Sequence, residues 1–100
     1  MRRLMLLLTV ATVLSLAACA VPADGQEPTI ALLLPESKTS RYEGIDRPVF
    51  EEVVAERCAE CRVLYANAGQ DAARQQQQAE SALTQGAQVL VLGAVDASAA

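Results

Sequence analysis

The sequence predicts an α/β fold, namely a βαβαβ parallel half-lobe of a doubly wound domain. Thr29–Leu34 (TIALLL) and Val89–Leu92 (VLVL) are continuously apolar, which is typical of strands buried on both faces of a parallel sheet. Residues 62–66 (RVLYA) form a third strand candidate between them. A segment with a helical pattern separates each strand from the next, and such crossovers require the strands to run parallel.

The first predicted helix follows a polar stretch. Residues 35–47 (PESKTSRYEGIDR) contain Gly44 and predict a long loop. Pro48 suits the first turn of a helix, with Asp46 or Arg47 near its cap. Apolar and acidic side chains then alternate at helical spacing, with Val49, Phe50, Val53 and Val54 on one side and Glu51, Glu52 and Glu56 on the other. This pattern predicts an amphipathic helix that packs on a sheet.

The second predicted helix contains a run of four glutamines, Gln75–Gln78. Positions 72, 76, 79, 83 and 86 form a stripe at helical spacing, which predicts that Gln76 faces inward and that the other glutamines point outward. Gly86 lies where a left-handed C-terminal cap belongs. Three strands and two helices leave one sheet edge and one face uncovered, so we expect a longer domain of which this is the first part.

The N-terminal residues have the pattern of an export signal. Arg2 and Arg3 precede an uncharged apolar stretch of residues 4–16, which is shorter than the roughly 20 residues of a membrane-spanning helix. Residues 16–19 (LAAC) resemble the lipobox of bacterial lipoproteins, in which the cysteine is lipidated. The expected division is a signal peptide over residues 1–18, then lipidated Cys19 and a flexible tether over residues 19–28. An ordinary secretory signal is the alternative.

Composition excludes several function classes. Removal of Arg2 and Arg3 from the 8 basic residues leaves 6 against 12 acidic ones, a net charge of −6. With no basic patch and three aromatic residues, we expect no nucleic-acid partner. The chain has no histidine, so Ser–His and Cys–His catalytic pairs are excluded within it. We expect no enzyme activity, no cofactor and no metal site.

The remaining cysteines, Cys58 and Cys61, form a CxxC sequence. Such a pair is either a redox motif or a structural disulfide. Because it follows the first predicted helix, the helix dipole opposes a thiolate there. The position favours a disulfide that closes the helix-to-strand turn.

Candidate ligand-binding residues lie in the loops that follow the strands, because ligands of open parallel sheets bind beyond the carboxyl ends of the strands. Arginine, an aromatic ring, an amide and a carboxylate are the groups that bind a polyol by hydrogen bonds and stacking. The loops supply these groups together with a hydroxyl and an ammonium, and the residues are Ser37, Lys38, Arg41, Tyr42, Asp46, Asn67, Asp71 and Asp96.

The segments IALLLPESKTSRYEGIDRPVFEE and CAECRVLYANAGQDAARQQQQAESALTQGAQVLVLGAVD resemble the first part of type I periplasmic sugar-binding proteins of ABC transporters, closest to the xylose-binding group. The resemblance implies that residues 29–100 are the incomplete N-terminal part of a sugar-binding lobe. It also implies a monosaccharide ligand such as xylose, bound between two lobes and delivered to the membrane subunits of a permease. The protein would be exported, and would be either anchored by its lipid to the outer face of the cell membrane or periplasmic.

The xylose-type pattern matches four positions. Arg41 and Tyr42 match the arginine and aromatic that follow the first strand, although the family more usually has tryptophan in place of Tyr42. Asn67 and Asp96 match polar residues after the second and third strands. A lipoprotein that passes its sugar-bound state to a membrane sensor, and an exported thiol oxidoreductase using Cys58 and Cys61, are the alternative functions.

Overall fold

The structure, a computed structural model, describes residues 25–100 as a small α/β domain. The predicted signal peptide, Cys19 and most of the tether lie outside this range. The elements follow one another as β1 (Thr29–Leu34), a π-helical turn (Tyr42–Asp46), α1 (Arg47–Arg57), β2 (Arg62–Asn67), α2 (Ala72–Thr84) and β3 (Val89–Leu92). The bounds of β1 and β3 are those predicted, and β2 is one residue longer.

All three strands form one parallel sheet in the order β2–β1–β3. Ile30 pairs with Val63 on one side and Val89 on the other. The prediction of a three-stranded parallel sheet with two helices is therefore confirmed. Central β1 is buried from Ala31 to Leu34, as its unbroken apolar sequence predicts.

The two helices lie on opposite faces of the sheet. Successive strand residues point to opposite faces. In β2, Tyr65 lies under the guanidinium of Arg47 from α1, whereas Ala66 packs with the core on the α2 side. That core is small, and its members are Ala31, Leu33, Ala82 and Ala87 with Leu64, Ala66 and Ala79 against them.

The predicted loop over residues 35–47 is wrong in its second half, where helical conformation begins at Ser40. The Glu36 carboxylate accepts the backbone N–H groups of Lys38 and Thr39, so it satisfies donors just before the helix. The Arg47 N–H donates to Tyr42 O, five residues back. Pro48 has no N–H to donate, and its ring crowds the carbonyl of Gly44, four residues earlier. The π-helical turn is wider than an α-helical one and relieves this clash.

The apolar side of α1 is only partly used. Phe50 and Val54 are half-buried, whereas Val49 and Val53 are 50% and 46% exposed. The prediction that all four pack on the sheet is therefore wrong for two of them. Val49 and Val53 lie one turn apart, and no element of residues 25–100 buries that side of the helix.

The burial predicted for β3 is also wrong. All four of its residues are exposed, from 37% for Leu90 to 49% for Val89. Within the described residues β3 pairs only with β1, so its outer edge is free. A continuous apolar sequence predicted burial on two faces, whereas among the described residues only β1 pairs with β3.

The inward face of α2 differs from the predicted stripe at two positions, with 75 in place of 76 and 82 in place of 83. Gln75 and Ala82 are buried, whereas Gln76 and Leu83 are exposed. Gln75 is polar but can be buried, because its amide forms hydrogen bonds with the backbone of Gly93 and Val95 in the loop after β3. Periodicity could not distinguish Gln75 from Gln76, because the two are the same residue type and both lie at helical spacing from Ala79.

Gly86 ends α2 as predicted. Its φ is +94°, its N–H donates to Leu83 O, and the Ala87 N–H donates to Ala82 O. This pair of bonds is a Schellman motif, which requires left-handed backbone at the residue that follows the C-cap, here Gly86. Cys58 and Cys61 form a disulfide in the turn between α1 and β2, as predicted.

Substitution Gly86→Ala should lower the free energy of unfolding by about 1–2 kcal/mol, because a Cβ disfavours left-handed backbone. No described atom crowds that position, since the nearest is the Gln26 Oε1 at 3.9 Å. The check is urea unfolding followed by circular dichroism.

Gly44→Ala is the matched control, because Gly44 lies in helical backbone with no heavy atom within 4 Å of its added Cβ. This variant should be as stable as the parent or slightly more stable. Equal losses from both variants would contradict the assignment of strain to Gly86.

Candidate functional site

The carboxyl ends of the strands meet at one edge of the sheet, which we call the C-terminal rim. Leu34 at the end of β1 pairs with Asn67 at the end of β2, and Leu33 pairs with Leu92. Backbone hydrogen bonds continue past the strands, from Ala68 N to Leu34 O at 2.9 Å and from Gly93 N to Leu33 O at 2.9 Å. The loops after all three strands therefore start from a common, hydrogen-bonded edge.

Gln75 fixes the loop after β3. Its Nε2 donates to Gly93 O at 2.8 Å, and its Oε1 accepts the Val95 N–H at 2.9 Å. Both ends of one buried amide are thus used by the backbone of a single loop. The contact also settles the orientation of the amide, since only Nε2 can donate to a carbonyl. Gln75 positions the part of the rim that precedes Asp96.

A second polar cluster joins the π-helical turn to β2. The Glu43 carboxylate accepts hydrogen bonds from the Tyr65 hydroxyl and from Asn67 Nδ2, the latter at 3.1 Å. Arg47 contributes a weaker contact to Glu43 at 3.4 Å, and its guanidinium carbon lies 3.6 Å from the Tyr65 ring centroid. Stacking of a guanidinium on an aromatic ring is favourable, the more so when partly desolvated. This Glu43 cluster attaches the segment carrying Arg41 and Tyr42 to the sheet.

The protonation of the cluster follows from these contacts. The Tyr65 hydrogen bond, aided by Arg47 and Asn67, lowers the pKa of Glu43 below its ordinary value of 4.5. Burial, reinforced by the neighbouring Glu43 carboxylate, raises the pKa of the Tyr65 phenol above 10.0. At neutral pH the carboxylate is therefore ionised and the phenol protonated, which is the combination that the hydrogen bond requires.

Arg41 and Tyr42 lie at the start of the π-helical turn. The Arg41 side chain is 69% exposed, and its Nε donates to Asp46 Oδ2 at 3.0 Å. Its two terminal nitrogens have no hydrogen-bond partner among residues 25–100. The guanidinium carbon lies 5.9 Å from the centroid of the half-buried Tyr42 ring. A paired guanidinium and carboxylate beside a ring can exchange hydrogen bonds with hydroxyl groups while the ring contacts C–H surface.

Asn67 is close to this group but is already engaged. Its amide donates to Glu43 and accepts the Gly69 N–H at 2.9 Å, so its first role is to shape the turn after β2. Asp96 lies beside the first turn of α2, where it lines a cavity of about 60 Å³ with Ala72 and Gln76. Its carboxylate accepts the Ser98 N–H and hydroxyl, which lower its pKa.

The structure therefore brings Arg41, Tyr42 and Asp46 together, with Asn67 joined to them through Glu43. No contact among the described residues links Asp96 to this group. Of the other loop candidates, Asp71 caps α2 by accepting the Arg74 N–H at 3.0 Å. Ser37 and Lys38 have exposed side chains.

Sequence reasoning missed Glu43, Tyr65 and Gln75. Tyr65 belongs to the strand candidate of residues 62–66, and its hydroxyl requires a partner when the ring is half-buried. That requirement was the available signal for a carboxylate nearby. Nothing in the sequence distinguishes Gln75 from the three glutamines that follow it.

Within residues 25–100, neither helix has the length and apolar character that crossing a bilayer requires. The same residues contain no group of three or more carboxylate or thiol side chains arranged to bind a metal ion. Comparison with known proteins gives no matching family model, no matching curated protein and no matching solved structure.

Gln75→Ala should lower the free energy of unfolding by about 1–3 kcal/mol, because the partly buried Gly93 carbonyl and Val95 N–H lose their partners together. The loop of residues 93–95 should also become more mobile. Urea unfolding and amide hydrogen exchange at Val95 measure the two effects.

Gln76→Ala is the neighbouring control, since Gln76 is exposed and contacts only Glu80 on the same helix, at 3.3 Å. Its effect should stay within about 0.5 kcal/mol. A larger loss for Gln76→Ala than for Gln75→Ala would restore the originally predicted helix register.

The Glu43 cluster should make stability depend on pH in the acid range. A carboxylate with a lowered folded-state pKa stabilises the fold above its unfolded pKa, and this contribution disappears as pH falls through the folded value. The difference in unfolding free energy between the parent and Glu43→Gln should therefore be constant near neutrality and shrink below about pH 4.5.

Unfolding measured at several pH values down to about pH 3 provides this comparison. Glu36 and Asp96 also have lowered pKa values, but they titrate in both proteins and cancel in the difference. A difference that stays constant down to the lowest pH would show that Glu43 contributes no ionised interaction.

Proposed function

We propose that this chain is the N-terminal part of a substrate-binding protein of a sugar ABC importer, with a monosaccharide bound at the C-terminal rim. The observation that supports the proposal is the Arg41–Asp46 pair beside the Tyr42 ring, at the edge of a parallel sheet where ligands of such sheets bind. The sequence resemblance to the xylose-binding group supports the same reading. The finer fold assignment, a half-lobe of a doubly wound periplasmic-binding-protein domain, is part of this proposal.

Sugar binding would use the two terminal nitrogens of the Arg41 guanidinium, since Asp46 pairs only with its Nε. Asp46 holds the Nε edge of the guanidinium, which orients the two terminal nitrogens toward solvent as hydrogen-bond donors. Tyr42 offers ring surface for the C–H face of a pyranose. Asn67 supports the site through Glu43, and Asp96 is assigned to the wall of the cleft. A second lobe closing on the rim would supply the remaining contacts and exclude water.

The membrane part of the proposal concerns Cys19 and the residues before it. Removal of residues 1–18 and lipidation of Cys19 would place the tether and the folded domain in the aqueous space outside the cell membrane, within reach of the permease. A net charge of −6 on the remainder gives no electrostatic adhesion to anionic lipid, so the lipid itself would be the anchor.

Arg41→Ala in the exported full-length protein should weaken sugar binding by about 2 kcal/mol, or roughly thirtyfold in Kd, because ligand hydroxyls lose a charged donor. Calorimetric titration with xylose and a panel of other aldoses measures the effect.

Arg57→Ala is the control, since Arg57 is exposed at the far end of α1 and carries the same charge away from the rim. It should leave the affinity unchanged. If no aldose binds the parent protein, or if both variants bind as tightly as the parent, the sugar-receptor assignment fails.

A further inference from the structure

The π-helical turn of residues 42–46 continues directly into α1. Its closing hydrogen bond runs from the Arg47 N–H to Tyr42 O, five residues back, whereas an α-helix would use Glu43 O. Turns of this kind are rare, occur mostly as single turns inside α-helices, and are frequent at functional sites. Here the turn sets the rotation of Arg41 and Tyr42 about the helix axis, and hence the direction of both side chains.

The Arg41–Asp46 ion pair has a spacing that fits a π turn and does not fit an α-helix. Arg41 Nε lies 3.0 Å from Asp46 Oδ2, and the two residues are five apart in the sequence. An α-helix turns by about 100° per residue, so residues five apart lie about 140° from each other around its axis. A turn that is closed between residues five apart brings them to the same side. The ion pair therefore stabilises the π form, although an exposed pair contributes little by itself.

Pro48 and Glu43 favour the same form. In a continuous α-helix the Pro48 ring would crowd Gly44 O, which the wider turn avoids. The Glu43 carboxylate accepts hydrogen bonds from the Tyr65 hydroxyl and Asn67 Nδ2 because it faces the sheet. Conversion of the turn to an α turn, with α1 held in place, would rotate Glu43 by about 100° and break both hydrogen bonds.

An α form of the same residues would have a compensating contact. Glu43 and Arg47 are four residues apart, the spacing at which opposite charges pair on an α-helix. In the π form their contact is long, at 3.4 Å from Arg47 Nη1 to Glu43 Oε2. Glu43 therefore has partners in either form, on β2 in the π form and on α1 in the α form.

We propose that residues 40–46 form a two-state element, in which the Arg41–Asp46 pair and Pro48 select a π form over an α form. Passage to the α form rotates Arg41 and Tyr42 by about 100° and moves them by about 1.5 Å along the helix axis. A ligand held by these two side chains in their present direction binds the π form only, so its apparent affinity scales with the population of that form. This last consequence rests on the proposed function, whereas the two-state element itself does not.

The test moves the carboxylate by one residue. Ile45→Asp combined with Asp46→Ile places it four residues from Arg41, at α-helical spacing, with composition and charge unchanged. Ile45 is 59% exposed, and neither position belongs to the apolar core. Pro48→Ala is added to make a triple variant, because it removes the ring that disfavours the α form.

The measurement is the identity of the hydrogen-bond acceptor of the Arg47 N–H, from NMR couplings across hydrogen bonds in the isotopically labelled full chain. The parent should show a coupling to the Tyr42 carbonyl carbon. The triple variant should lose this coupling and gain one to the Glu43 carbonyl carbon. Asp46→Asn, which removes the charge with little change of shape, should already weaken the coupling to Tyr42.

The reversed pair, Arg41→Asp with Asp46→Arg, is the matched control, because it keeps opposite charges five residues apart. It should retain the coupling to the Tyr42 carbonyl. Loss of that coupling in the reversed pair, or a coupling of parental strength in both Asp46→Asn and the triple variant, would overturn the proposal. No sugar is present in these measurements, so the two-state element and the sugar site can fail separately.

Discussion

Parallel pairing of β1 with a strand on each side is the constraint on which the other features depend. The register of Ile30 with Val63 and Val89 aligns three carboxyl ends at one edge, so that three loops leave the sheet within reach of one another. In β1, Leu32, Leu33 and Leu34 are 4% exposed or less, and burial of such side chains contributes about 1.5–3 kcal/mol each. A change of register by one residue would exchange the faces that meet α1 and α2.

Polar side chains hold together elements that the small apolar core does not join. The α2 side of the sheet is packed mainly by alanine and leucine, which supply limited buried area. Gln75 and Glu43 instead join a helix or turn to a neighbouring strand or loop through directional hydrogen bonds. Directional contacts fix positions more narrowly than apolar contacts of the same size. The loops of the rim are therefore held in defined positions even though they are exposed.

Asn67 connects both helical segments to the end of β2. Its side-chain amide donates to Glu43, and its backbone carbonyl accepts a hydrogen bond from Gln78. The first contact supports the segment bearing Arg41 and Tyr42, and the second holds α2 against the end of β2.

The secondary-structure elements and the direction of the strands follow from the residue pattern alone. Unbroken apolar runs fixed β1 and β3 to the residue, Gly86 marked the end of α2, and the intervening helices required parallel strands. Contacts in three dimensions, by contrast, set which glutamine of α2 faces inward and make residues 40–46 helical. The reason is physical, since periodicity reports apolar burial, whereas Gln75 and Glu43 are placed by hydrogen bonds to backbone and side chains distant in sequence.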